Sequence, residues 1–321
     1  MAVDYAHEAV DRRIERLERR LSTEYRQALN ELENEANSYL YKFRKEDRLM
    51  RLKVIHGDIT KKQYIEWRQG KMLYSKRYKE MIDNLADSLT KCNVTASEFI
   101  NKSLPYSFAE SANFTAYTIE KAVTTASFSI YNVNAVNELL ASKKLLLPKA
   151  SVDIPKDMLW NRQKVNSAIA QGILQGDSIP KIAKRLRAVT DMNKAASFRN
   201  ARTLHTAAES LGRRDTLQKA QKMGIDTMWQ WIAVHDSRTR DAHRELDRQI
   251  KKVNEPFVNS LGKIRFPSDP QAAPANVYNC RCGIRGYIPN HPYKESDYFD
   301  SEDYQEWKKG KKSYDNYLKG G

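Results

Sequence analysis

Ten apolar residues between Val10 and Phe43 recur in steps of three and four: Val10, Ile14, Leu17, Leu21, Tyr25, Leu29, Leu32, Ala36, Tyr39 and Phe43. That spacing lines them along one narrow stripe of a single long helix, the seam expected of a bundle or coiled coil. Charged residues fill the other faces, and Glu–Arg pairs at helical spacing add small support. Packing within the chain is the expected use of this seam, ahead of self-association. A sequence with 30% charged and 40% apolar residues and a mean hydropathy of −0.73 suits long solvated helices better than a thick core.

The rest of the chain extends this pattern and then abandons it. His56-Gly57-Asp58 breaks the first helix, and Thr60 is positioned to cap the next. That second segment interleaves Tyr64, Trp67, Tyr74 and Tyr78 with Arg68, Lys71, Lys76, Arg77 and Lys79. Aromatics mixed with cations either stack on bases and grip phosphates or simply pack while the cations face water, and spacing does not choose. Leu104-Pro105 is expected to interrupt the helices. Residues 106–148 are less charged and read as better-buried helix, and the prolines from Leu147-Pro148 to Ile154-Pro155 read as a linker. Further helices follow, with Ser178 as N-cap, Pro180 in a first turn, and His205 and Glu209 sharing one face four residues apart. Gly224 stops the last of them, and strand composition appears at 227–233 and again at 278–288.

The expected fold is therefore mainly α with a small α+β C-terminal module. Its divisions are a charged helical arm (1–105), a better-buried helical stretch (106–148), a second helical block (149–226), the α+β module (227–290) and a flexible polar tail (291–321).

Charge narrows the function. The 321 residues carry a net +15, with an isoelectric point near 9.5, which points to an anionic partner: nucleic acid, a lipid surface or an acidic protein. The cations most available for phosphate are expected at Arg68, Lys71, Lys76, Arg77 and Lys79, and second at Lys308, Lys309, Lys311 and Lys312. Three cysteines are too few for a disulfide scaffold and suit a reducing compartment. The first residues, MAVDYAHEAVDRR, lack a signal-peptide apolar region, and no run of residues is apolar enough to span a membrane.

Unusual residue types cluster once, between Trp229 and Cys282. Trp229 and Trp231 lead into His235-Asp236-Ser237-Arg238-Thr239-Arg240, followed by His243 and Asp247, and later by Asn279-Cys280-Arg281-Cys282. Cys280, Cys282 and His243 could ligate zinc, with His235, Asp236 or Asp247 as a fourth ligand. The structural reading makes them two small thiols on a strand, with Arg281 pointing the other way. Asp236 is expected to fix a turn by accepting backbone N–H groups and to pair with an arginine fork. No P-loop, nucleophile elbow or dinucleotide fingerprint is present, so an enzyme is not expected. The enzymatic alternative is a metal-dependent hydrolase using His235, Asp236 and His243 around a divalent ion.

These residues carry a resemblance. The run D-S-R-T-R-x2-H-x2-L-D from Asp236 to Asp247, the later N-C-R-C, and RTLHTAAESLGRR from Arg202 to Arg214 together resemble the phage head-morphogenesis family. Its members are minor head proteins similar to the F protein of phage Mu, and the likeness covers roughly residues 150–290. Many relatives have T-C-x-x-C where this chain has Thr239-Arg240-Asp241-Ala242-His243, and H-P-N-C where it has Val277-Tyr278-Asn279-Cys280. The resemblance thus implies a zinc site less complete here, with His243 in place of a thiol. It also implies a minor capsid component inside the virion near the portal, made in the host cytoplasm. Such a protein would contact portal protein, double-stranded DNA, and scaffold or major capsid protein, and assist assembly, packaging or genome delivery. The alternative is a nuclease or toxin-like effector delivered with the genome.

Overall fold

The computed structural model describes residues 3–289, 291 and 294–311. Long helices dominate them: α1 (Tyr5–Ile55), α2 (Lys61–Leu73), α3 (Lys76–Ala122), α4 (Val133–Ala141), α5 (Ile154–Leu174) and α6 (Ile179–Lys222). A small α+β region follows, with β1 (Met228–Ile232), α7 (Asp241–Arg244), β2 (Ile250–Lys252), β3 (Phe257–Asn259), β4 (Gly262–Ile264), α8 (Pro274–Val277) and β5 (Gly283–Tyr287). A 3-10 turn (Glu295–Tyr298) and α9 (Ser301–Lys309) end the described chain. This is the mainly α architecture with a small α+β C-terminal module that the patterning predicts.

The chain divides into two compact units, and they do not follow sequence order. Unit 1 takes the described residues up to Glu18, then Glu98–Ala150, then those from Phe198 onward; unit 2 takes Arg19–Ser97 and Ser151–Ser197. These units differ from the linear divisions expected from sequence, since α1, α3 and α6 each contribute residues to both. Of the expected breaks, the 147–155 stretch alone falls on a unit boundary.

In unit 2 most of the predicted seam is buried: Leu21, Tyr25, Leu32, Ala36, Tyr39 and Phe43 of α1 are, whereas Leu29 is half-buried and Ala28 takes the buried place beside it. Ile82, Leu85 and Leu89 of α3, Val165 and Ile169 of α5 and Leu186 of α6 are buried as well. A polar cluster crosses this core. Tyr25 Oη donates to Asn93 Oδ1 (2.6 Å) and lies 2.7 Å from Ser197 Oγ, while Asn93 Nδ2 donates to Asp157 and Asn193. Asn161 closes it with bonds to Thr90 and Asp157. Every polar group has a partner, which fixes the register of four helix segments that apolar contacts alone would leave free to slide. Thr60 caps α2 with Gln63 in a capping box, and Gly57 turns the preceding loop at φ +82°.

Two expected interruptions are absent. Helix α3 runs through Pro105, because Leu104 and Phe108 are buried on either side and tertiary packing outweighs the lost N–H bond. The Ser103 hydroxyl donates to the Ile100 carbonyl (2.7 Å) just before the proline. Helix α6 likewise continues unbroken from Ile179 to Lys222, where two helices were expected.

In unit 1 the strands form a β2-β1-β5 antiparallel sheet beside a β3-β4 hairpin. Trp229 and Trp231 on β1 are fully buried among Leu217, Leu246, Phe257 and Ile284. Helix α9 corrects the expectation of a flexible tail over its own length. Tyr304 is wholly buried with Ala6, Phe114 and Tyr117, and the Trp307 indole donates to Glu120 (2.7 Å). An aromatic stripe at helical spacing, hidden in an acidic stretch, is what docks it.

Candidate functional site

The site lies in unit 1, where the end of β1, the one-turn helix α7 and the loop into β5 converge. Buried β1 delivers Trp231 against His243 in an edge-on contact (5.6 Å between rings) and against Phe257 (5.3 Å). After β1 the chain turns at Asp236. Its carboxylate accepts the Arg238 N–H (2.9 Å) and the Thr239 hydroxyl (3.3 Å), an Asx turn. The same carboxylate receives both ends of the Arg281 guanidinium at 2.5 and 2.6 Å. That fork holds the Asp236 carboxyl far below the usual carboxylate range, so it is ionised at any working pH.

Asp247 fixes the other flank, accepting the Ala233 N–H (2.7 Å) and lying 2.8 Å from the half-exposed His235 Nε2. Arg240 donates to the Tyr278 carbonyl, while Arg238 stays exposed, 3.8 Å from Asp236. The arginine partner of Asp236 is thus Arg281, from 45 residues downstream.

His243, Cys280 and Cys282 come together and are buried. Alternation places both thiols inward and Arg281 outward, although this segment precedes β5 and is not itself strand. His243 Nε2 faces the Asn276 carbonyl and side-chain oxygens, both at 3.1 Å, so it carries the proton. Nδ1 is then a lone pair, 3.4 Å from Cys280 Sγ and 3.5 Å from Cys282 Sγ. The bond from Cys280 and the adjacent imidazole hold the Cys282 thiol down, while Cys280, as donor, is pushed up.

The three donor atoms lie within 4.8 Å of one another. Ligands around one tetrahedral zinc stand roughly 3.5 Å apart, so the three fit three corners, and Asn276 supplies the outer partner a ligating histidine needs. A closed structural site takes four ligands. Among the described residues no fourth carboxylate, thiol or imidazole joins the group: His235, Asp236 and Asp247 are engaged elsewhere, and buried Val277 is apolar.

Helix α6 anchors the same loop. Thr203, Thr206 and Ser210 lie three and four residues apart on one face. Thr203 Oγ1 accepts the Asn279 N–H (2.9 Å), Thr206 donates to the Cys280 carbonyl (3.1 Å) and Ser210 to the Pro267 carbonyl (3.2 Å). Asn279 sits at φ +58°, a left-handed conformation asparagine tolerates. The RTLHTAAES run and N-C-R-C are thereby two halves of one hydrogen-bonded assembly.

His205 and Glu209 share a face but not a bond. His205 is fully buried between Ser103 and Ser107, and burial pushes its imidazole down to about 3. Glu209 joins Arg213, Asp4 and His7 in a buried ion network. Burial opposes a charge on His7, but Glu209, Asp11 and Asp4 prevail and hold it up at about 9. Asn276 and Asn259, bonded to each other at 3.0 and 3.1 Å, were not singled out from sequence. Neither asparagine carries a spacing signal; only the fold shows buried Asn276 and half-buried Asn259 behind His243.

Of the expected phosphate-contacting cations, Lys76, Arg77, Lys79 and Lys309 are exposed. Arg68 is drawn inward to Asp47 (3.2 Å) and the Ile173 carbonyl, and Lys71 pairs with Glu46 (2.5 Å). Lys308 and Lys311 clamp α9 through Glu110 (2.8 Å) and Glu120 (2.6 Å). Lys312 lies outside the described residues. Trp67 stacks on Phe43 and Tyr64, and Tyr78 is buried, so those aromatics pack, while Tyr74 is 83% exposed.

Residues 163–285, which include the whole assembly, match the family described as Phage Mu protein F like protein. Minor head protein GP7 of Bacillus phage SPP1 is 24% identical over 288 residues, covering 88% of this chain and 86% of that protein. NAD(+)--arginine ADP-ribosyltransferase EFV of Enterococcus faecalis (strain ATCC 700802 / V583) is 29% identical over 204 residues, 60% of this chain. This chain spans 40% of the length of that transferase. No solved structure matches. The family match thus covers the stretch that holds the DSRTR-to-NCRC assembly, and along most of its length the chain is similar to a phage minor head protein.

Proposed function

We propose that this chain is a minor head protein of a tailed phage that sits inside the head near the portal, grips double-stranded DNA without reading its sequence, and assists head assembly, packaging or genome delivery. The observation that carries the DNA part is where the charge lies. Residues 41–80 hold thirteen lysines and arginines against five acidic residues, a net +8 of the chain's +15. Lys76, Arg77 and Lys79 are exposed there beside Tyr74. Clustered cations beside condensed DNA gain from counterion release whatever the base sequence. Among the described residues no helix is long and apolar enough to cross a membrane, so a bilayer span is no competitor for this charge. The Trp229–Cys282 assembly is read as structural, because its donors are buried and its carboxylates are spent on arginine, backbone and histidine. Binding of the purified protein to unrelated duplexes across a salt series tests this. Equal affinities falling steeply with salt support it; no binding at low salt would redirect the charge to an acidic protein partner such as portal or scaffold.

One observation favours a second reading, a metal-dependent nuclease or toxin-like effector: three soft donors gathered at His243, Cys280 and Cys282. Loss of a zinc-dependent activity in His243→Ala and Cys282→Ser variants would support it. A fall in melting temperature alone leaves the cluster structural.

A further inference from the structure

Helices α1, α2, α5 and the start of α6 enclose a second concave feature, entirely within unit 2. It is a cleft of about 330 Å³ lined by Arg44, Arg48, Arg51 and Arg68, with Asp47 and Asp177. The carboxylates are already saturated. Buried Asp47 accepts the Tyr64 hydroxyl (2.7 Å) and forms ion pairs with Arg51 (2.9 Å) and Arg68 (3.2 Å). Buried Asp177 takes Lys181 (2.6 Å) and Arg185 (2.9 Å), while its backbone carbonyl takes Arg44. Arg48 has no hydrogen-bond or ion-pair partner among the described residues.

Six cations therefore surround two carboxylates. Part of that excess caps the end of α5, since Arg68 also donates to the Ile173 carbonyl. The rest is uncompensated. Like charges brought together in a concave, partly desolvated site cost free energy unless an anion enters. Helix α5 ends and α6 begins at this rim, so dipoles of opposite sign meet there and the guanidinium groups set the potential. Gly176, at φ +70°, keeps one wall as bare backbone; a Cβ there would stand 3.7 Å from Arg51 Nη2.

We propose that this cleft binds a phosphate group, with Arg44, Arg48 and Arg51 presenting forks to its oxygens and Asp47 and Arg68 holding the floor. Planar guanidinium forks match tetrahedral oxyanions in geometry as well as charge. The volume is at the small end of small-molecule sites, so a duplex cannot enter, although it can offer one backbone phosphate at the mouth. The site does not depend on the duplex-binding reading: free phosphate, a nucleotide or a backbone diester would each satisfy it.

The test uses the full chain and inorganic phosphate, titrated at constant ionic strength against chloride. A saturable rise in melting temperature is expected with phosphate and not with chloride. An Arg48→Gln variant, changed at an exposed and unpaired side chain, should fold normally and weaken the phosphate midpoint by about tenfold or more. Arg48→Lys should recover part of it, and Lys144→Gln with Lys149→Gln, exposed in unit 1, should leave it unchanged. No saturable response, or equal weakening by the unit 1 pair, overturns the site. Competition names the source. If saturating phosphate weakens duplex binding of the wild type but not of Arg48→Gln, the cleft takes a backbone diester; if duplex binding is untouched, it takes free phosphate or a nucleotide. A saturable phosphate response without any duplex binding would sink the DNA reading and keep the cleft.

Discussion

Asn276 shows how much one unremarked side chain can hold. It is fully buried, orients His243 through Nε2 and exchanges two hydrogen bonds with Asn259. Truncation to alanine leaves buried His243 and half-buried Asn259 without those partners, each orphaned buried group costing about 1–3 kcal/mol. Asn276→Ala should therefore lower unfolding free energy by roughly 2–4 kcal/mol in a urea titration; a change under about 0.5 kcal/mol would mean the assembly is not cooperative. His205 makes a different prediction, in pH. Its folded value of about 3 lies below the ordinary histidine value, so between pH 6.5 and 3 the unfolded chain binds a proton that the folded chain refuses. Stability should then fall with acidification across that window, by up to about 1.4 kcal/mol per pH unit from this residue. His7 acts oppositely: its raised value contributes stability in full below pH 6.5 and loses it as pH rises through about 9. Stability measured from pH 4 to 10 should peak between the two limbs, and His7→Gln should flatten only the alkaline one.

At the scale of elements, two features decide how helices meet. Gly212 on α6 faces α3 so closely that a Cβ would lie 2.3 Å from the Phe108 carbonyl oxygen. Alanine is the better helix former by about 1 kcal/mol, so propensity predicts stabilisation by Gly212→Ala. The clash with immovable backbone predicts the reverse, and it should win, with a net loss of roughly 2 kcal/mol or more seen as a lower melting temperature. Helix α9 is held by aromatic burial and two lysine clamps. Tyr304→Ala should leave the remaining helices intact by circular dichroism yet make residues 301–311 an early site of limited proteolysis; unchanged cleavage would mean the clamps alone suffice.

For the whole molecule, the governing quantity is the +15 charge and its concentration in residues 41–80. Replacing Lys76, Arg77 and Lys79 together with glutamine should reduce the slope of duplex affinity against salt by about one per charge removed, across unrelated sequences alike. The same substitution at Lys308 and Lys311 should instead cost stability, since those cations hold α9.

Much of this was legible in the sequence. The three-and-four spacing from Val10 to Phe43 determined a long helix with one buried face, because burial periodicity must match helical geometry. Asp236 before Arg238 determined its turn, since a short carboxylate reaches the N–H two residues on, and alternation determined that Cys280 and Cys282 would face inward together. The sequence left undecided everything set by distance along the chain. That Arg281, and not Arg238 or Arg240, forks onto Asp236, that Asn276 backs His243, and that Arg68 points inward while Lys79 stays in water are decided only when segments 21 to 105 residues apart are packed together. Local pattern dictates which face of an element is buried; only the tertiary structure dictates what that face is buried against.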